Sequence, residues 1–252
     1  KSTFVDVVAH VLGSYATQAD GGLLAGRGDH PTQLAGLRGA RLVVADETEQ
    51  GKLAERRVKA VTGGKKIKAR FMRQDYFEFT PRFKLWITGN HKPEIAGTDQ
   101  GIWRRLKLVP FTNTLTDDTR IMGFDELLLA EAPGILNWAL AGLADWRQVG
   151  GLGEPEVVQT ATREYRDEED VIGLWIADCL ELAVPDVTAL PSELYGSYTW
   201  WCHLNGLPPI SRPQLGKVLS ARGFQQLRQQ RINGKPERPW VGIRIISTSV
   251  SG

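Results

Sequence analysis

The sequence predicts an α/β protein: a parallel-sheet core followed by a smaller helical module that closes in strands. Two apolar runs predict the core. Residues 41–47, Arg-Leu-Val-Val-Ala-Asp-Glu, and residues 83–88, Phe83 to Thr88, are short and largely apolar, as strands buried on both faces of a parallel sheet are. Three helix-sized segments followed by two strand-like ones around Asn233-Gly234, a favoured hairpin dipeptide, predict the second module.

Taken in order, Phe4, Val7, Val8, Val11 and Leu12 recur at helical spacing and Gly13 stops that helix. After the first strand, residues 52–61 read as a helix, and residues 67–80 alternate as a hairpin turning near Arg73-Gln74-Asp75. Leu106 to Phe111 reads as a third strand. Phe124 to Trp146 is helical and strongly apolar, interrupted at Pro133-Gly134, and the run Gly150-Gly151-Leu152-Gly153 reads as a linker. An acidic helical stretch through Asp167, Glu168, Glu169 and Asp170 follows. Helices are expected at 169–183, 191–205 and 211–222, then strands at 224–232 and 240–246, which together describe a winged helix. Leu194, Tyr198, Trp200 and Trp201 read as its core, with Leu215, Val218 and Leu219 as the core face of its third helix. The expected division is a core at 1–122, a helical extension and linker at 123–166, and the winged helix at 167–252.

Composition bounds the functions. With 252 residues, 42% apolar, the chain can bury two modest cores. A net charge of +2 does not advertise a nucleic-acid partner, so that reading rests on local clusters. Cys179 and Cys202 form no Cys-x-x-Cys pair and read as buried free thiols of a reducing compartment. No apolar run reaches the roughly 18 residues of a membrane span, and nothing in these residues resembles a signal peptide, so a soluble, cytoplasmic protein is expected. Because the chain opens on Lys1-Ser2-Thr3 rather than Met, directly before a helix, it reads as a fragment of something longer.

Lys-Ser before a helix matches the tail of G-x-x-x-x-G-K-[ST], the loop in which Lys reaches the β- and γ-phosphates and the hydroxyl holds magnesium. Lys1, Ser2 and Thr3 are thus the candidate nucleotide-binding residues, with Ser2 and Asp46 as candidate magnesium ligands. An apolar strand ending in Asp46-Glu47 supplies one carboxylate for the metal shell and one to polarise water. Asn90, at the tip of the next strand, is placed to bond that water or the γ-phosphate. Arg104 and Arg105, after Trp103, offer a guanidinium to a neighbouring subunit's γ-phosphate. Their order along the first 105 residues, Lys-Ser, Asp-Glu, basic hairpin, Asn, Arg-Arg, carries more weight than any one of them.

Leu37 to Phe111 closely resembles the phage and plasmid primase-helicase family, which includes poxvirus and satellite-phage replication helicases of superfamily 3. The residues that carry the resemblance are Leu-Val-Val-Ala-Asp-Glu-Thr-Glu-Gln-Gly at 42–51, Val-Lys-Ala-Val-Thr-Gly-Gly at 58–64, Ile-Lys-Ala-Arg at 67–70, Phe83 through Pro93, and Trp-Arg-Arg-Leu-Lys-Leu-Val-Pro-Phe at 103–111. The resemblance implies a P-loop NTPase core of the AAA+-like kind and an ATP-dependent helicase that assembles as a ring, a hexamer by expectation, to replicate a phage, plasmid or other mobile element. It assigns Lys1 and Ser2 to the phosphate loop, Glu47 to the acidic catalytic position and Asn90 to the sensor. Arg104 best matches the arginine finger, with Arg105 next. Many relatives carry only the glutamate where this chain has Asp46 and Glu47. The implied cofactors are ATP and Mg2+, and a primase domain often stands upstream. Without the loop glycines, these 252 residues are expected to hydrolyse ATP weakly or not at all.

Two basic clusters supply the nucleic-acid readings. The first holds Lys59, Lys66, Lys68, Arg70 and Arg73, with Arg56, Arg57 and Lys65; in related motors this segment is a hairpin gripping the phosphates of single-stranded DNA. Tyr76 and Phe77 beside it read either as base-stacking or as core. The second holds Arg212, Lys217, Arg228 and Arg231, with Arg222, Lys235, Arg238 and Arg244, opposed mainly by Glu237, and suits duplex DNA on a winged helix. The rival readings are a non-enzymatic DNA-binding replication or loading module with a degenerate ATPase core, and an ATP-driven switch acting on protein.

Overall fold

The computed structural model describes residues 1–19, 22–25, 31–46, 52–95, 100–183, 186–232 and 234–246. The chain divides into two compact units, Lys1–Glu169 and Asp170–Gly252.

The first unit opens with α1 (Ser2–Leu12), which Gly13 ends at φ 54, a backbone conformation that glycine adopts without cost. Then come β1 (Ala16–Gln18), α2 (Gly22–Ala25), α3 (Pro31–Ala35), β2 (Leu42–Asp46), α4 (Glu55–Thr62), β3 (Ile67–Ala69), β4 (Phe77–Phe79), β5 (Lys84–Thr88), α5 (Gln100–Trp103), α6 (Phe124–Ala130), α7 (Ala132–Val149) and α8 (Glu156–Glu169). Three strands form a parallel sheet in the order β1-β2-β5, with Val43 paired to Thr17 on one side and Leu85 on the other. The central strand explains its own composition. Leu42 through Ala45 are all buried: Val43 and Ala45 join Leu23, Val58, Val61 and Ile102 in one cluster, while Leu42 and Val44 meet Val5 and Leu12 of α1 in another. Burial of each leucine and valine among them contributes about 1.5–3 kcal/mol.

β1 has no counterpart in the sequence reading, because three residues are too few to show a period. Backbone bonds hold it instead: Ala19 N–H donates to the Val44 carbonyl and Arg41 N–H to that of Tyr15, both at 2.7 Å. The expected strand at Leu106–Phe111 does not form. Leu106 and Leu108 pack against the core, which explains their alternation, and the Leu108 N–H donates to Thr162 Oγ1 of α8 at 2.9 Å rather than to a strand. The predicted hairpin does form, with Ile67 opposite Phe79 and Ala69 opposite Phe77. Helix 124–146 breaks at Glu131, just ahead of Pro133, since proline is tolerated in a first turn and not within a helix. Gly150 caps α7 at φ 74, and the Gly150–Gly153 run, read above as a linker, lies inside the first unit.

The second unit contains α9 (Val171–Cys179), β6 (Leu180–Leu182), β7 (Thr188–Ala189), α10 (Pro191–Leu204), α11 (Arg212–Ala221), β8 (Gln230–Ile232), β9 (Lys235–Glu237), β10 (Trp240–Val241) and β11 (Ile243–Ile245). Asp170 caps α9 by accepting the Gly173 N–H at 3.0 Å and pairs with Arg222 beyond α11. The core gathers Trp175, Leu194, Tyr198, Leu219, Trp240 and Ile243. Burial pushes the Tyr198 hydroxyl up to about 12, helped by its hydrogen bond with Cys202.

Two expectations are corrected here. Among the described residues, 224–232 meet 240–246 only through one antiparallel bridge, Gln226 opposite Trp240, with the Val241 N–H donating to the Gln225 carbonyl at 3.0 Å. Strand β8 pairs with β9, Gln230 opposite Glu237, while the last strands also return to earlier ones, Trp240 opposite Ala189 and Ile243 opposite Leu182. Trp240 and Ile243 are buried, so the core decides their partners rather than the nearest turn; Asn233 lies outside the described residues. Trp200 is 40% exposed while Trp201 is buried, because neighbours on a helix point about 100° apart and one face alone meets the core. Cys179 and Cys202 are buried and free. Among the described residues no single helix is long and apolar enough to cross a membrane.

Candidate functional site

Parallel strands end together, so whatever follows them gathers at one sheet edge. At the carboxyl edge of β1, β2 and β5, Gln18, Asp46 and Thr88 stand side by side, with Asp46 and Thr88 in direct register. Gln18 Nε2 donates to Asp46 Oδ2 at 2.9 Å, and Thr88 Oγ1 donates to Asp46 Oδ1 at 3.1 Å, so each carboxylate oxygen has its own donor. The chain then turns at Gly89-Asn90. Lys1 Nζ donates to Asn90 Oδ1 at 2.8 Å and to the Gly89 carbonyl. Ser2, exposed, and Thr3, half-buried, begin α1 at that same place, where an 11-residue helix offers free backbone N–H groups and the positive end of its dipole. Five of the sequence-predicted residues, Lys1, Ser2, Thr3, Asp46 and Asn90, are therefore placed at one edge. Gln18 and Thr88 were missed, and only the strand register could have revealed them. Glu47 lies outside the described residues.

Arg104 and Arg105 follow α5. Arg105 folds back to donate to the Gly101 carbonyl, whereas Arg104 is exposed, which leaves Arg104 the better placed to reach another molecule. Their position is set from behind. The buried Trp103 ring meets Tyr165 of α8 edge-on, centroids 5.2 Å apart, and the Tyr165 hydroxyl donates to the Pro93 carbonyl. Two more α8 groups hold the same strand-following segment: Glu168 pairs with Lys92 at 2.5 Å, and Glu169 accepts the Ile95 N–H at 2.7 Å. Burial, then the nearby carboxylates Glu169 and Glu168, push the Tyr165 hydroxyl up. Burial is also the first cause raising Glu169, with Glu94 and Glu168 adding to it against the Ile95 hydrogen bond. Thus α8 ties the segment after Asn90 to the segment before Arg104. The sequence marks α8 only as an acidic helical stretch, and the fold shows what it grips.

The first basic cluster divides. Lys65, Lys66, Lys68, Arg70 and Arg73 are exposed on or beside the β3–β4 hairpin, Arg73 at its turn with φ 59. Lys68 sits opposite Glu78, 4.0 Å away. Lys59 belongs elsewhere: half-buried on α4, it pairs with Glu55 at 3.3 Å, one turn away. Among the described residues of the second unit, Arg212 is matched by Glu237 at 3.5 Å, Arg244 by Glu181 at 2.8 Å, and Arg222 by Asp170. Lys217, Arg228 and Arg231 are exposed.

Residues 1–105 match a family of unknown function, DUF5906. The chain is 29% identical over 206 residues to a helicase-named protein of Acanthamoeba polyphaga mimivirus, which covers 71% of this chain and 21% of that protein. It is 26% identical over 233 residues to a helicase-named protein of Frog virus 3 (isolate Goorha), covering 83% of this chain and 24% of that one. Two apo structures of the NrS-1 C-terminal region align with 96% of the chain and 64% of their own, with TM-scores of 0.47 and 0.49 at 11% and 13% identity. Over most of its length the chain is thus similar to viral proteins named as helicases, and it spans about a fifth to a quarter of theirs.

Proposed function

We propose that the chain is the motor of an ATP-dependent, ring-forming DNA helicase with a P-loop core of superfamily 3 type, Lys1–Glu169, and a winged helix, Asp170–Gly252. One observation carries the reading: Lys1, Ser2, Asp46, Thr88 and Asn90, far apart in sequence, converge at the carboxyl edge of a parallel sheet. Such an edge, beside a helix N-terminus, suits a phosphate chain. The helicase-named viral relatives support it.

On this reading Lys1 exchanges its bond to Asn90 for the β- and γ-phosphates when ATP binds. Ser2 and Asp46 present a hydroxyl and a carboxylate, and Thr88 and Gln18 orient that carboxylate. These donors are all oxygen, the set that suits magnesium, which usually takes one or two carboxylates plus substrate phosphates. Bound there, magnesium would neutralise charge developing on the phosphates. Glu47 accepts a proton from the attacking water, whose oxygen bonds to the γ-phosphorus as the bond to the bridging oxygen of ADP breaks. Asn90, released by Lys1, orients that water. Arg104 reaches from one subunit to the γ-phosphate held by the next, which requires a ring. The hairpin cations Lys66, Lys68, Arg70 and Arg73 grip single-stranded DNA, and Lys217, Arg228 and Arg231 face duplex DNA.

ATP turnover by the full-length protein, with and without single-stranded DNA, is the test. Turnover should rise with DNA, and Glu47→Gln or Arg104→Ala should each lower it about a thousandfold. Mixing the two variants should restore part of it, since mixed rings contain some intact interfaces. A full-length protein that neither binds nor hydrolyses ATP overturns the reading.

A further inference from the structure

The hairpin carries exposed rings among its cations, and a grip on phosphates alone leaves those rings unused. Phe71 is 41% exposed, Tyr76 57% and Met72, between them, 74%. These side chains are not loose. Phe71 stacks on Phe77 with centroids 5.6 Å apart, Phe77 meets Phe79 at 6.0 Å, and Phe79 packs against the core of its unit. A ladder of rings therefore runs from the interior to the tip and holds the outermost ring in place. Guanidiniums brace it: Arg70 lies over Tyr76 and Arg38 over Phe77, each 5.0 Å from the ring centroid. Lys65, Lys66 and Arg73 are exposed around it.

Water alone gives a hairpin tip no reason to present two aromatic rings and a methionine. The ligand that matches both features carries regularly spaced negative charge and flat apolar faces within reach. Single-stranded nucleic acid does so; in a duplex the base faces are already stacked, and an acidic peptide satisfies the cations but not the rings. We propose that Phe71 and Tyr76 form a nucleobase-stacking site at the hairpin tip, with Arg70 fixing the Tyr76 ring and the neighbouring cations holding the phosphates. The proposal rests on the reading of the chain as a nucleic-acid motor and adds that the strand is held through its bases as well as its backbone.

The experiment compares binding of the chain, by fluorescence anisotropy, to oligothymidylate and to an abasic strand of equal length and charge. The wild type should bind the base-bearing strand about tenfold more tightly for each base stacked. The double variant Phe71→Ala, Tyr76→Ala should bind both strands as the wild type binds the abasic one, whereas Tyr76→Trp should keep the preference. A 2-aminopurine in the strand should lose fluorescence on binding the wild type and keep it with the double variant. Equal wild-type affinity for the two strands overturns the stacking site while leaving a phosphate-gripping hairpin, and so does equal affinity for polyglutamate. Binding to neither strand overturns both the site and the nucleic-acid reading.

Discussion

Lys1 Nζ lies 2.8 Å from Asn90 Oδ1 across 89 positions of sequence, so the residue expected to hold phosphates and the residue expected to sense them are hydrogen-bonded to each other. Asn90→Ala should therefore lower ATP turnover about a hundredfold, as removal of one preorganised polar group does, with little change in stability because the pair is exposed. Steady-state hydrolysis and a urea midpoint on the same preparation check both halves.

Thr88 and Gln18 between them occupy both oxygens of Asp46. Thr88→Val keeps the β-branched shape that suits the strand and removes one of those donors. The magnesium concentration that half-activates turnover should rise about tenfold, the usual cost of losing an outer partner of a metal-binding carboxylate. An unchanged magnesium profile would argue that Asp46 holds no metal.

Trp103 is buried edge-on against Tyr165, and its loss should destabilise the first unit by about 3–5 kcal/mol. Tyr165→Phe keeps the ring and loses only the bond to the Pro93 carbonyl, which should cost about 1 kcal/mol. Unfolding followed by circular dichroism separates the two magnitudes.

Glu169 is raised above its ordinary carboxylate value, chiefly by burial. A carboxyl whose folded value is raised contributes stability that is complete below the unfolded value and lost as pH rises through the folded one. Glu169→Gln can still accept the Ile95 N–H but does not titrate. The stability of the variant relative to wild type should therefore increase as pH rises from below the ordinary carboxylate value to neutrality, as urea midpoints across that window will show.

Trp201 is buried and donates from Nε1 to Asp178 Oδ2 at 2.9 Å, while its neighbour Trp200 is 40% exposed. Trp201→Ala should destabilise the second unit by about 3–5 kcal/mol, and Trp200→Ala by no more than about 0.5 kcal/mol. Melting curves of the two variants decide whether the helix faces the core as described.

The sequence by itself determined the elements whose cause is local. The buried run Leu42–Ala45, the helix that Gly13 ends and the hairpin turning at Arg73 were legible because strand burial, left-handed glycine and period-two alternation leave their marks within a few residues. The candidate nucleotide residues were legible as an order of motifs along the chain. Tertiary structure alone decided which elements became partners. It added β1, too short to show a period, and with it the Gln18 bond to Asp46. It turned Leu106–Phe111 from a strand into a segment held by α8, sent Trp240 and Ile243 back to β7 and β6, and matched Arg222 and Arg244 with Asp170 and Glu181 from well upstream. The reason is physical: periodicity records which side of an element is buried, whereas the identity of what covers it depends on long-range packing and charge pairing that exist only once the chain has closed on itself.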